Sequence, residues 1–245
     1  MEPRHLTMRA VICDVYQTLL EVGRPPADAE ARWITLWRDT LGCAPALSQL
    51  DFAAACAQVI AREHAGARAR GIAFPEVWWP AVVAEVMPAL AALPAQQQDE
   101  FIFTQMQLGR SLHLMAGAAE ALRALTRAGL VLGLASNAQA YTWRELDWHL
   151  HGADLNRDVF TPELCFWSCQ HGFSKPDPHV FRILTARLAA RGIAPGETLM
   201  VGDRPDNDLE PARAQGWQTW HLTAAANAGD PAGDWQGLLA WLGLV

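Results

Sequence analysis

Five polar residues in this chain follow short apolar runs, and their types can do chemistry together. Asp14 follows the apolar residues 10–13, Ser136 and Asn137 close residues 130–135, and Asp203 follows residues 198–201. Lys175 lies in a loop after residues 164–168. Carboxylates are nucleophiles and hard metal ligands, a hydroxyl can hold an anion's oxygen, and a lysine neutralises negative charge. Gathered at one place, the set suits a small anionic substrate and a hard divalent cation. Taken singly, each is an ordinary turn former or helix cap.

What gathers them is the kind of run they follow. Residues 9–15, 130–135, 164–168, 198–201 and 217–222 read as short strands, and the first is apolar without alternation, as a parallel strand covered on both faces must be. Helical patterns separate them at 118–128, 141–150, 178–191 and 208–215, the first closed by Gly129 and the last by Gly216. The alternation predicts an α/β fold, a Rossmann-like, doubly wound parallel sheet. In such sheets ligands sit beyond the carboxyl ends of the strands, where all five residues fall. Between them lies a different texture. From about residue 28 to 110 no strand is evident, and four amphipathic stretches follow one another: 29–41, a helix capped by Ser48, 76–90 and 96–112. They predict a small α-helical bundle inserted into the sheet domain. Trp33, Trp37, Trp78 and Trp79 fall there at helical spacing, which favours packing over a binding pocket.

Four segments, in order, give the chain its resemblance to the haloacid dehalogenase-like hydrolase superfamily. Asp14-Val15-Tyr16-Gln17-Thr18-Leu19 resembles its first motif and Leu134-Ala135-Ser136-Asn137 its second. The stretch from Phe173 through Lys175-Pro176-Asp177-Pro178 to Phe181 resembles the third, and Gly202-Asp203-Arg204-Pro205-Asp206-Asn207-Asp208 the fourth. The resemblance implies a hydrolase core over residues 1–21 and 111–245, with a substrate-selecting helical cap over 22–110. It implies that Asp14 is the nucleophile, that Ser136, Asn137 and Lys175 hold the substrate, and that Asp14, the Tyr16 carbonyl, Asp203 and Asp208 serve Mg²⁺, Asp208 by orienting a metal-bound water or Lys175.

One position departs from the pattern. Phosphatases of the superfamily carry a general-acid aspartate two residues past the nucleophile, and here that position is Tyr16, followed by Gln17 in place of glycine. The family's dehalogenases also carry tyrosine there, because a departing halide needs no proton. They do without Mg²⁺, however, and carry serine and asparagine in the fourth motif, where this chain keeps Asp203 and Asp208. The expectation is therefore a Mg²⁺-dependent, phosphatase-like hydrolase with Tyr16 at the general-acid position. The alternatives are a metal-independent 2-haloacid dehalogenase, with Arg32 or Arg38 for the substrate carboxylate, and a binding protein that has lost turnover.

Composition narrows the rest. Of 245 residues, 51% are hydrophobic, too many for a disordered chain. The net charge of −7, with no basic cluster, speaks against a nucleic-acid partner. The longest apolar stretch, 78–93, is interrupted by Pro80, Glu85 and Pro88, and residues 1–6 are polar, so neither a membrane span nor a signal segment is expected. The five cysteines lack zinc spacing and read as reduced thiols of a cytoplasmic protein, and a monomer or homodimer is expected.

Overall fold

The computed structural model describes residues 8–224 and 231–245. The chain divides into two compact units, residues 1–21 with 113–245 and residues 22–112.

The first unit is built on a six-stranded parallel sheet. Its strands are β1 (Ala10–Cys13), β4 (Val131–Ser136), β5 (Cys165–Trp167), β6 (Thr198–Gly202), β7 (Gln218–Leu222) and β8 (Ala232–Gly233), in the order β5-β4-β1-β6-β7-β8. The central strands β1 and β6 are buried throughout, as their uninterrupted apolar sequences require. Helices α5 (Ala118–Arg127), α6 (Thr142–His151), α7 (Pro178–Ala190), α8 (Glu210–Arg213) and α9 (Trp235–Trp241) connect the strands or follow them. Ile12, Phe166, Phe181, Leu184, Met200 and Trp217 belong to one continuous core. The architecture is the doubly wound α/β sheet that the apolar runs predict.

Three short strands lie outside the expected pattern. β2 (Leu20–Gly23) pairs with β3 (Ser111–Leu114) in a separate two-stranded sheet, and the chain passes between the two units within these strands. β3 corrects the helix expected over 96–112, which ends at Met106. β8 lies beyond the last of the runs read as strands, 217–222. The expectation on residues 1–6 lies outside the described residues.

The second unit holds α1 (Ala29–Leu41), α2 (Gln49–Ala69), α3 (Trp79–Val86) and α4 (Ala95–Met106). Ser48 caps α2 by accepting the Asp51 amide at 3.1 Å. The helix expected over 76–90 stops at Val86, because Pro88 cannot continue it, and a 3₁₀ turn, Pro88–Ala92, follows. Trp33 and Trp37 are buried in an aromatic core with Phe52 and Phe101, while Trp78 is half exposed. Arg32 and Arg38 are exposed.

Candidate active site

Adjacency in the sheet converts residues far apart in sequence into one cluster. β4, β1 and β6 are neighbours and run parallel, so Ser136, Asp14 and Asp203 leave the sheet at the same edge. Asp14 donates its amide to the Val201 carbonyl at 2.9 Å, which ties the loop after β1 to β6. Oxygens of Asp14, Asp203 and Asp208 all lie within 4.8 Å of one another.

Lys175 crosses this acidic cluster. Its ammonium donates to Asp14 Oδ1 at 2.7 Å and to Asp208 Oδ1 at 2.5 Å, with the Lys175 side chain fully buried. Asn137 fixes the loop that delivers it. The Asn137 amide nitrogen donates to the Lys175 carbonyl at 2.9 Å, and the Lys175 amide donates to Asn137 Oδ1 at 2.7 Å. Asn137 thus clamps the lysine's backbone. Asp177 accepts the His179 amide at 2.9 Å and caps α7, and the His179 ring pairs with the same carboxylate. Arg204 pairs with Asp206 at 2.9 Å.

Asp208 is fully buried and both its oxygens are occupied, Oδ1 by Lys175 and Oδ2 by the Arg204 amide at 3.1 Å. Gly202 makes room for it. A β-carbon on Gly202 would lie 2.7 Å from Asp208 Cβ, closer than packed atoms tolerate. Asp203 is half-buried, and its carbonyl accepts from His221 Nε2 at 3.0 Å.

Three carboxylates against one ammonium leave a formal charge of −2 in a poorly hydrated place. Burial pushes the Asp14 carboxyl up, and the nearby Asp208 charge adds to this; Lys175 pulls the other way, leaving it at about 6. Burial and then Asp208 push Asp203 up as well. Burial alone would lower the Lys175 pKa, but the charges of Asp14 and Asp208 outweigh it and the pKa is raised. A divalent cation would balance the surplus charge, and an all-oxygen donor set suits Mg²⁺. Ser136 Oγ, buried beside this cluster's sheet edge, has no hydrogen-bond partner among the described residues, an arrangement that favours an incoming acceptor.

The loop from Asp14 to Leu20 turns sharply. The amides of Leu19 and Leu20 both donate to the Val15 carbonyl at 2.8 Å, and Gln17 sits in the left-handed region at φ +59°. The Tyr16 side chain belongs to a separate polar group. Its hydroxyl donates to Glu145 Oε2 at 2.5 Å and lies 2.8 Å from Thr142 Oγ1, both residues of α6 and both buried. Neither Thr142 nor Glu145 carries a signal in the sequence, where they read as part of an amphipathic helix.

The family model for haloacid dehalogenase-like hydrolases matches residues 8–216. A phosphoserine phosphatase from Thermus thermophilus is 37% identical over 105 residues, which are 43% of this chain and 39% of that protein. The match thus spans well under half the length of the curated relative. A 2-haloacid dehalogenase from Pseudomonas syringae pv. tomato superposes with a TM-score of 0.60 at 17% identity, over 96% of this chain and 98% of that one. A HAD phosphatase from Thermococcus onnurineus superposes with a TM-score of 0.55 at 19% identity, over 96% and 98%. The two structures share the fold and differ in the activity their names carry.

Proposed function

Because the chain belongs to the haloacid dehalogenase-like hydrolase family, we propose that it is a Mg²⁺-dependent, phosphatase-like hydrolase. It acts on a small phosphorylated metabolite through an aspartyl-phosphate on Asp14. The observation that supports this reading is the acidic cluster: Asp14, Asp203 and Asp208 within 4.8 Å, with Lys175 between Asp14 and Asp208. A metal-independent dehalogenase has no need of that surplus charge.

Asp14, the Tyr16 carbonyl and Asp203 are the groups assigned to the ion. Asp208, whose oxygens are already engaged, is assigned to positioning Lys175. When bound, Mg²⁺ would offset the charge of the phosphate against the attacking carboxylate. One oxygen of the Asp14 carboxylate bonds to phosphorus, the bond to the leaving oxygen breaks, and its electron pair departs with that oxygen. Water then adds to phosphorus, the bond to Asp14 breaks, and the water's second proton stays with the released phosphate or passes to solvent. Lys175 holds Asp14 in one orientation and screens the incoming anion, and the Ser136 hydroxyl donates to a phosphate oxygen. The helical unit over 22–112 takes the role of a cap that selects substrates.

A dehalogenase reading has one observation in its favour, the tyrosine at position 16. Incubation with aryl phosphates and with 2-chloropropionate, each with and without Mg²⁺, separates the two. Phosphate release that needs Mg²⁺ is expected. Chloride release without metal, and no phosphate release, would refute the proposal.

A further inference from the structure

A phenol carries one hydrogen, and Tyr16 gives its hydrogen to Glu145. The 2.5 Å separation is that of a strong O–H to carboxylate bond. Glu145 and Thr142 are both buried, at 2% and 0% exposure, on consecutive turns of α6 (spacing i, i+3), so neither can swing aside to release the hydroxyl. The general-acid position of the first motif is therefore occupied by a group whose only proton is already committed.

We infer that Glu145, with Thr142, is a positioning pair that withholds the Tyr16 proton and thereby confines turnover to substrates whose leaving group departs as a stable anion. The inference rests on the phosphatase-like reading and names its substrate class. In the first step the phosphorus–oxygen bond breaks and both electrons leave with the oxygen. An aryl or acyl leaving group carries that charge unaided, whereas an alkoxide must take up a proton. With the Tyr16 proton withheld, the alkyl ester loses the ~10²–10⁴-fold that a general acid supplies. The chemical class is thus aryl, enol and acyl phosphates rather than simple alkyl monoesters. Glu145 touches neither substrate nor metal in this scheme; it acts through Tyr16.

The test compares kcat/KM for p-nitrophenyl phosphate and for glycerol phosphate, with Mg²⁺ present, in wild type and in two variants. Glu145→Gln keeps an acceptor for the phenol. Glu145→Leu combined with Thr142→Val removes both partners. The wild-type aryl-to-alkyl ratio is expected to exceed ~100. The ratio should persist in Glu145→Gln and fall at least tenfold in the double variant, a change that general loss of packing would not produce. If the double variant does not fold, the wild-type rates over a series of leaving groups of rising basicity decide: they should fall steeply along the series. Comparable rates on aryl and alkyl phosphates in wild type, or an unchanged ratio in a folded double variant, would overturn the inference alone. No phosphate release from any substrate would overturn the phosphatase-like reading, and this inference with it.

Discussion

Replacing Lys175 by methionine probes the cluster most severely, because the two side chains match in length while the charge is lost. Lys175 is 2% exposed and Asp208 fully buried, and the ammonium contacts two carboxylates at 2.7 and 2.5 Å. Removing one partner of a buried ion pair leaves an uncompensated charge and costs about 3–5 kcal/mol. In a protein of this size 1 kcal/mol shifts the melting temperature by about 2–4 °C, so a fall of roughly 6–20 °C is expected. The assay is thermal unfolding in metal-free buffer, with a double-variant cycle to isolate the pair. Lys175→Met with Asp208→Asn should lose about 1–3 kcal/mol less than the sum of the single changes, because the second change removes the stranded charge. A Lys175→Met protein melting within about 2 °C of wild type, the range of an ordinary surface change, would refute the reasoning.

The metal-free protein should also show the Asp14 shift as a pH dependence. A carboxyl raised from 3.8 to about 6 on folding stabilises the protein below pH 4, and that stability is lost as the pH rises through 6. Relative to Asp14→Asn, wild type should therefore lose about 2 kcal/mol between pH 4 and 7, read from urea midpoints; a flat difference would contradict the shift. Gly202→Ala should displace Asp208, costing about 1–3 kcal/mol and most of the activity, whereas Gly196→Ala, where a β-carbon meets nothing within 4 Å, should do neither. Gln17, at φ +59°, bears a strain of ~1 kcal/mol that glycine would not. Gln17→Gly should melt at or above wild type and Gln17→Val below it, and the reverse order in calorimetry would count against the strain.

What the sequence reveals and what it conceals divides along range of interaction. The central strands are legible because a strand covered on both faces is apolar along its length, as Ala10–Cys13 and most of Thr198–Gly202 are, whereas the mixed Gln218–Leu222 is legible only from its place in the alternation of strands and helices. β2, β3 and β8 are not, since Leu-Glu-Val-Gly, Ser-Leu-His-Leu and Ala-Gly are too short and mixed to show a period. In the site, Asp14, Ser136, Lys175 and Asp203 are identifiable because each follows an apolar run. The hydrogen bonds that hold them are concealed. Asn137 meets Lys175 across 38 residues and Glu145 meets Tyr16 across 129, and only the sheet order brings them together. Nothing in the local pattern around Glu145 distinguishes a buried acceptor from a solvated helix residue.

The central claim is that Asp14 attacks phosphorus, and the fate of water's oxygen tests it most directly. Turnover of an aryl phosphate with Mg²⁺ in water enriched in heavy oxygen should place the label in the released phosphate and none in Asp14. A rapidly quenched sample should show the mass of a phosphoryl group on the peptide containing Asp14. Heavy oxygen accumulating in the Asp14 carboxylate would mean that water attacks a carboxyl carbon, as an ester intermediate from a haloacid requires, and would contradict the account.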